Sequence, residues 1–218
     1  MADSTLTSIV RNAQSQPKNL LVMLHGWGAN AQDVASLADY LQLPDYAMAF
    51  PNAPFRHPQS PGGYMWYAFP DENLDQLLGL EQVDLQESRQ RLRTWLTDLS
   101  AQLNIPLSRT ILGGFSQGGA MTLDIGPQLP VAGLMALSGY LHRAIAAPDV
   151  PAPTLLVHGV QDAVVPLQAA HQCREQLTAL NTPLDYHELP MGHEISPNVL
   201  NLIQSFIERR GVMGDKTE

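Results

Sequence analysis

The sequence has few cysteines, little positive charge and no long apolar run. Cys173 is the single cysteine, which excludes an internal disulfide and the usual multi-cysteine zinc site. The chain has 12 Lys and Arg against 21 Asp and Glu, a formal net charge of −9. It therefore lacks the positive field that binding to nucleic acids or to anionic membranes requires. We therefore expect no nucleic-acid partner. No segment reaches the roughly 18 consecutive apolar residues of a membrane span, so we also expect no stable membrane insertion.

The N-terminal segment MADSTLTSIVRNAQSQ has no basic start followed by an apolar stretch, so it does not read as a secretory signal peptide. We therefore predict a cytoplasmic protein. A length of 218 residues suits one large domain with a single core. We predict one domain over 1–218, with 1–17 and 211–218 as poorly ordered extensions, and the sequence leaves the oligomeric state open.

Apolar runs alternate with segments of helical spacing along the chain. The runs are LLVMLHG (20–26), AMAFPNAP (47–54), TILGGFS (110–116), VAGLMALSG (131–139), TLLVHG (154–159) and LDYHELP (184–190). Helical spacing begins near residues 31, 84, 117, 167 and 197. Continuous apolar runs are typical of strands buried on both faces, so the alternation predicts an α/β fold with a mostly parallel sheet. Cys173 lies on the apolar face of one helix and is predicted to be buried.

Residues 55–80, FRHPQSPGGYMWYAFPDENLDQLLGL, are rich in Gly, Pro and aromatic side chains and show no period. A connection of this length is uncommon in a compact domain unless it binds a ligand or acts as a lid. The aromatic side chains clustered in YMWYAF would be costly to expose together. Our hypothesis is that this loop forms the wall of a substrate pocket through Trp66, Leu74, Leu77 and Leu78.

Residues 114–118, GFSQG, fit the pattern G-x-S-x-G of a nucleophile elbow, in which a strand turns sharply into a helix and exposes a serine hydroxyl. The motif joins the apolar run TIL to the helix-like AMTLDI. Glycines at 114 and 118 suit so tight a turn, because side chains there would collide. A glycine-rich turn with an incidental serine is the alternative, so the prediction depends on finding a base for Ser116.

A serine hydroxyl needs a neutral imidazole to take its proton and a carboxylate to orient that imidazole. In elbow-containing folds the carboxylate and then the histidine follow the serine, on loops after strand ends. Asp162, in HGVQDAVVP, and His193, in PMGHEIS, follow predicted strands in this order. Taken singly, Asp162 would suit a helix cap and His193 an ordinary surface histidine. The other histidines after Ser116 come too early in the chain order or fall inside predicted strands and helices: His142, His158, His171 and His187.

The loop LHGWGAN, residues 24–30, follows a predicted strand and leads into a helix that Asn30 suits as a cap. Its glycines allow the backbone N–H of Trp27 to point into the site, where it would pair with the N–H of Gln117 as an oxyanion hole. The same residues, Gly26-x-Gly28-x-x-Ala31, also satisfy a dinucleotide-binding fingerprint. That alternative needs an acidic residue at the end of the next strand, where the sequence reads FPNAP, so nucleotide binding is the weaker hypothesis.

Six motifs in order, LHGWG, FPNAP, GFSQGGAM, ALSGYL, HGVQDAVVP and PMGHEIS, resemble the small carboxylesterase, lysophospholipase and acyl-protein thioesterase family of α/β-hydrolases. The resemblance covers about residues 20–207. It implies an α/β-hydrolase fold with helices on both faces of the sheet, and we expect no separate cap domain in so short a chain. It also implies Ser116, Asp162 and His193 as the catalytic triad, with Trp27 and Gln117 as the oxyanion-hole donors.

The sequence departs from the family pattern in the loop HGWGA and in the tryptophan-containing segment YMWYAFPD, where the family commonly has a shorter Trp-aromatic-Asp motif. The family usually has HGLGD where this chain has HGWGA, so the pocket wall beside Trp27 is expected to differ. We predict a serine hydrolase that needs no metal or cofactor and cleaves carboxylic esters, with thioesters as an alternative, through an acyl-enzyme. The expected substrate is a small-molecule acyl ester, and the sequence leaves its acyl length open. Lysolipids and long-chain acylated proteins remain open as substrates. A non-catalytic α/β-hydrolase-like binding protein is the alternative from another class.

Overall fold

A computed structural model of the protein describes residues 6–12, 16–69 and 83–211. Within these ranges the strands are β1 (Ser8–Arg11), β2 (Asn19–Leu24), β3 (Tyr46–Pro51), β4 (Phe55–Arg56), β5 (Tyr64–Met65), β6 (Thr110–Phe115), β7 (Gly133–Leu137), β8 (Thr154–Gly159) and β9 (Leu184–Leu189). The α-helices are α1 (Ala31–Ala35), α2 (Val83–Leu103), α3 (Gln117–Ile125), α4 (Leu167–Ala179) and α5 (Pro197–Gly211). Short 3₁₀ helices cover Ser36–Tyr40, Leu107–Arg109 and Gly126–Gln128.

Seven strands form one sheet in the order β1-β3-β2-β6-β7-β8-β9. All neighbouring pairs are parallel except β1 and β3, which run antiparallel. Since the carboxyl ends of parallel strands lie at one edge of a sheet, the segments that follow β2, β6, β7, β8 and β9 leave from the same edge. This topology collects residues that are far apart in the sequence.

Helices cover both faces of the sheet. On one face, Trp95 of α2 and Met121 of α3 pack with strand residues such as Val22. On the other face, α1 and α5 pack against Met23, with Phe206 contributed by α5. Neighbouring residues of β2 thus point into different cores, which explains why the strand is apolar from Leu20 to Leu24. The predicted α/β class and mostly parallel sheet are confirmed.

Helix α4 buries Cys173 completely, among side chains of α3, β7 and β8. Burial raises the pKa of its thiol to about 12, because a thiolate would be poorly solvated there. The prediction that Cys173 belongs to the core is confirmed.

The structure corrects two expectations about the N-terminal half. Residues 1–17 were expected to be poorly ordered, whereas Ser8–Arg11 form an edge strand on β3. The helix predicted from Ala31 onward is α-helical only to Ala35, and a 3₁₀ helix continues over Ser36–Tyr40. Residues 212–218 of the predicted C-terminal extension lie outside the described ranges.

The irregular segment 55–80 contains a two-stranded hairpin of β4 and β5, in which Phe55 lies opposite Met65. Within the described residues this hairpin is the second sheet, and no separate cap domain stands over the main sheet. The predicted pocket residues Leu74, Leu77 and Leu78 lie outside the described ranges. In the described part of the chain, no helix is long and apolar enough to span a lipid bilayer.

Candidate active site

Ser116 lies between β6 and α3, with a φ of 55° and a ψ of −118°. Positive φ is strained for a residue with a Cβ and is found mostly where the surrounding structure requires it. Two backbone bonds maintain the conformation: Ser116 N–H donates to Leu137 O at 2.8 Å, and Ala120 N–H donates to Ser116 O at 2.9 Å. The serine is thereby placed at the first turn of α3, where free N–H groups and the helix dipole favour negative charge.

Gly114 and Gly118 make this turn sterically feasible. A Cβ on Gly114 would lie 2.3 Å from the carbonyl carbon of Gly118, and a Cβ on Gly118 would lie 2.4 Å from Leu24 O. Both contacts are with backbone, which cannot move aside as a flexible side chain can. The two glycines are therefore required by close approach, and their own φ angles are ordinary.

His193 and Asp162 meet beside this serine. His193 lies on the segment between β9 and α5, and its Nδ1 is 2.7 Å from Asp162 Oδ2. The other carboxylate oxygen, Oδ1, accepts hydrogen bonds from the backbone N–H groups of Val164 at 2.9 Å and Val165 at 2.8 Å. Burial raises the pKa of Asp162, but the bonds from His193, Val165 and Val164 outweigh it, so the pKa is lowered overall. The carboxylate is ionised near neutral pH and oriented on both oxygens.

Four other described histidines, His142, His158, His171 and His187, have a carboxylate oxygen within 4 Å. Two of them show how the position of His193 differs. His158 is fully buried on β8, with its Nε2 2.8 Å from Val165 O and 3.6 Å from Asp162 Oδ2. Burial lowers its pKa, so it is neutral. His187 Nε2 is 2.7 Å from Asp185 Oδ1, but this pair lies on the edge strand β9 and lines no part of the cavity at Ser116.

Ser116 and His193 line one cavity of about 470 Å³, a volume within the range of small-molecule sites. The described lining is largely apolar: Trp27, Phe69, Phe115, Tyr140, Val164 and Val165, together with Gly26, Ala29 and Gln59. The Phe115 ring lies 4.7 Å from the His193 ring. Among the described residues no hydrogen bond to Ser116 Oγ is formed, and catalytic contacts of this kind commonly tighten only with substrate.

The loop between β2 and α1 passes directly against the serine. A Cβ on Gly26 would lie 3.3 Å from Ser116 Cβ. Asn30 caps the following helix, accepting bonds from Gln32 N–H at 2.8 Å and Asp33 N–H at 3.2 Å, as the sequence predicts. The backbone N–H groups of Trp27 and Gln117 have no partner within the described ranges.

The β4–β5 hairpin holds this loop in place. Gly28 N–H donates to Tyr64 O at 2.9 Å, Tyr64 N–H donates to Ala29 O at 2.8 Å, and Ser60 Oγ donates to Gly28 O at 2.9 Å. The Trp27 ring packs edge-on with His57, at 4.1 Å between centroids, and with Phe69, at 5.4 Å. The Trp27 side chain remains 39% exposed at the mouth of the cavity.

Trp66 does not form the predicted pocket wall. Its side chain is fully buried and lines no part of the cavity. The aromatic surface of the cavity comes from Trp27, Phe69, Phe115 and Tyr140. Its indole N–H donates to His25 O at 3.0 Å, so the ring faces inward beneath the loop. The sequence shows an aromatic residue in an irregular segment, and that pattern alone cannot distinguish a ring facing the cavity from a ring facing the core.

Sequence reasoning assigned no role to Tyr140, Val164 and Val165, all of which line the cavity. Tyr140 follows β7 at the same sheet edge as the other site residues. The strand-end rule that identified Asp162 would also have found Tyr140. The two valines follow Asp162 directly, so the loop that carries the carboxylate also supplies apolar surface. In the described ranges, no group of three or more His, Cys, Asp and Glu side chains could hold a metal ion.

Comparisons with known proteins identify the family to which this chain belongs. A family model described as phospholipase/carboxylesterase matches residues 6–210. Acyl-protein thioesterase 1 of Eremothecium gossypii is 30% identical over 215 residues, which cover 90% of each chain. Mouse lysophospholipase-like protein 1 is 28% identical over 209 residues, which cover 87% of this chain and 86% of that protein. The crystal structure of esterase PE8 superposes with a TM-score of 0.85 at 30% identity, covering 94% of this chain and 99% of that one. The chain therefore belongs to the phospholipase/carboxylesterase family of α/β-hydrolases and is a carboxylesterase-type serine hydrolase.

Proposed function

We propose that Ser116, His193 and Asp162 are the catalytic triad with which this hydrolase cleaves carboxylic esters. The observation that carries the proposal is the 2.7 Å contact between His193 Nδ1 and Asp162 Oδ2, next to a strained serine at the head of α3. Because Nδ1 is engaged by the carboxylate, Nε2 is the imidazole nitrogen left to exchange a proton with the serine.

Acylation follows from these positions. Ser116 Oγ attacks the ester carbonyl carbon while His193 Nε2 accepts the hydroxyl proton, and Asp162 stabilises the resulting imidazolium. The negative oxygen of the tetrahedral intermediate accepts hydrogen bonds from the N–H groups of Trp27 and Gln117, at the positive end of α3. Collapse breaks the ester C–O bond, and His193 returns the proton to the leaving alcohol.

Deacylation repeats these steps with water. His193 takes a proton from the water molecule as its oxygen attacks the acyl carbon, and a second tetrahedral intermediate uses the same two N–H donors. Its collapse releases the carboxylic acid and restores the Ser116 hydroxyl. The apolar cavity wall formed by Phe69, Phe115 and Val165 suits an uncharged part of the substrate.

A serine-directed label tests the nucleophile. A fluorophosphonate should attach to the wild-type protein at Ser116, and Ser116→Ala should abolish both the labelling and the release of p-nitrophenol from short acyl esters. Ester cleavage that survives Ser116→Ala in purified protein would overturn the proposal.

The pair of His187 with Asp185 provides a matched control for the base. His193→Ala should lower kcat/KM by at least a factor of about 10⁴, because loss of the general base removes most of the catalysis by a triad. His187→Ala removes a histidine with the same 2.7 Å carboxylate contact, and its kcat/KM should stay within about twofold of the wild-type value. Equal losses in both variants would show that the base is misassigned.

A second candidate function, thioester hydrolysis, is favoured by the similarity to acyl-protein thioesterase 1, and the mouse relative's name points to lysophospholipids. The same acyl-enzyme chemistry serves all three substrate classes. kcat/KM should be compared across p-nitrophenyl esters of increasing acyl length, an acyl thioester of matched length and a lysophospholipid. A preference for short p-nitrophenyl esters supports carboxylesterase activity, whereas a preference for the long-chain thioester or the lysophospholipid supports the corresponding alternative.

A further inference from the structure

We propose that Trp66 is a positioning residue that holds both halves of the oxyanion hole, a role that rests on the proposed function of Trp27 and Gln117. The two donor groups come from segments far apart in the sequence, the loop after β2 and the start of α3. Trp66 makes a direct hydrogen bond to each of these segments and a third to α2. It therefore couples the positions of two groups that must converge on one oxygen atom.

The first contact is with the loop after β2. Trp66 Nε1–H donates to His25 O at 3.0 Å, and the two rings pack with centroids 5.7 Å apart. His25 is itself tied on both sides of its ring: Nε2 accepts from Ala53 N–H at 3.0 Å, and Nδ1 is 2.7 Å from Gly26 O. The residue two positions before Trp27 is thus fixed by its side chain and, through Trp66, by its carbonyl group.

The second contact is with the side chain of Gln117. Trp66 N–H donates to Gln117 Oε1 at 2.8 Å, and Gln117 Nε2 donates to Tyr67 O at 2.8 Å. The Gln117 side chain is fully buried, so these two bonds set its orientation without competition from bulk water. Gln117, which carries the second proposed oxyanion donor, is therefore anchored to Trp66 and to its neighbour Tyr67.

The third contact anchors Trp66 to α2, where Ser88 Oγ donates to Trp66 O. Every hydrogen-bonding group of Trp66, its N–H, its carbonyl and its indole N–H, is thus engaged with a different part of the site's framework. A shift of Trp66 would leave buried polar groups unpaired, which is costly. Preorganised donors stabilise an oxyanion because they need no rearrangement as charge develops, and Trp66 supplies that rigidity.

The test is Trp66→Phe, which retains a large buried ring and removes the bond to His25 O. Rates are expressed per active site, counted by fluorophosphonate titration, so a misfolded fraction does not enter kcat. We expect kcat to fall about tenfold, less than the ~10²-fold or greater loss on deleting an oxyanion donor outright. KM should be unchanged, because the oxyanion exists only in the transition states of both steps.

A trifluoromethyl ketone provides the second measurement, since its adduct with the serine carries the same tetrahedral oxyanion. Its inhibition constant should weaken by the same factor as kcat/KM in Trp66→Phe. Trp95→Phe is the matched control, because Trp95 is also buried but lies on α2, away from the cavity lining. We expect Trp95→Phe to lose stability and keep the wild-type kcat per titrated site.

A further variant, Gln117→Met, keeps the backbone N–H and a similar side-chain volume but loses both side-chain hydrogen bonds. Gln117→Met should show the same pattern, a lower kcat at unchanged KM. If Trp66→Phe yields no folded protein, Gln117→Met is used to test the proposal instead. Wild-type kcat and ketone affinity per titrated site in both variants would overturn the positioning role. That result would leave the catalytic triad intact, whereas a wild-type protein that takes no fluorophosphonate would overturn the proposed function itself.

Discussion

Burial of the His25 ring makes the stability of this fold depend on pH. Its ring is fully buried, and burial lowers its pKa from 6.5 to about 4, against the opposing effects of the bond to Gly26 and the charge of Asp33. Because Nε2 accepts a hydrogen bond from Ala53 N–H, the ring must be neutral with its proton on Nδ1. Protonation at Nε2 would break that bond inside the core.

The sign and magnitude follow from proton linkage. Between about pH 6.5 and pH 4 the unfolded chain binds a proton at His25 that the folded protein does not bind, so acid favours unfolding. The stabilisation is fully present above about pH 6.5 and is lost as the pH falls. At about 1.4 kcal/mol for each pH unit that separates the folded and unfolded pKa values, the loss at pH 4 is about 3 kcal/mol. This is a large part of the roughly 5–15 kcal/mol that stabilises a typical domain.

The assay is urea unfolding of the wild type and of His25→Gln at several pH values from about 7 to about 4. Glutamine offers an acceptor oxygen for Ala53 N–H and does not titrate. The variant should be less stable at pH 7 because it packs less well, and the difference in the free energy of unfolding should narrow by about 3 kcal/mol at pH 4.

A difference between wild type and His25→Gln that stays constant from pH 7 to pH 4 would refute the reasoning. Burial also lowers the pKa of His142 and of His158, so the stability of wild type should fall more steeply with acid than His25 alone requires. Both of these histidines are present in the variant, and their contributions cancel in the comparison. The measured difference therefore reports on His25.

Three further predictions concern packing and buried charge. Gly118→Ala should destabilise the fold by about 3 kcal/mol in urea unfolding, because its Cβ would lie 2.4 Å from a backbone oxygen of β2. Gly192→Ala is the control and should change the free energy of unfolding little, because its Cβ would meet no atom closer than 3.9 Å. Buried Cys173 should react with an aromatic disulfide reagent only as the chain unfolds, and rapid labelling in native buffer would contradict its burial. Asp124→Asn should cost about 3 kcal/mol near neutral pH by removing the carboxylate that binds Arg89. The pKa of Asp124 is lowered from 3.8 to about 2, so the cost should decrease as the pH falls from 3.8 to about 2.

Local patterns predict the framework of this protein well. The apolar runs predict six of the sheet strands because strands buried on both faces, such as β2 and β8, are apolar at most positions. The elbow is predictable because only glycine fits beside Ser116 at 114 and 118, where backbone approaches within 2.4 Å. Chain order together with strand ends predicts Asp162 and His193 as partners of Ser116, since a parallel sheet places its carboxyl-end loops at one edge. The structure brings these two side chains into contact.

Strand β1 shows where local patterns fail. Its sequence, SIVR, is short and only partly buried, and it joins the sheet because β3 presents an unpaired edge. That edge is a property of the assembled sheet, so no pattern within residues 8–11 predicts it. The apolar spacing also does not predict the change from α-helical to 3₁₀ geometry at Ser36. Over so short a span, both types of helix place apolar residues at similar intervals.

The sequence by itself determined which groups could do the chemistry: a serine between glycines, an aspartate and a histidine after later strands, and glycines in the loop after β2. Only the tertiary structure decided what surrounds them. Trp66 faces the core and joins His25, Ser88 and Gln117, while Trp27 faces the cavity. The physical reason is that composition and periodicity show only how apolar a segment is. The direction of the Trp66 side chain depends on hydrogen bonds to residues 22 to 51 positions away. These bonds form only when the sheet assembles.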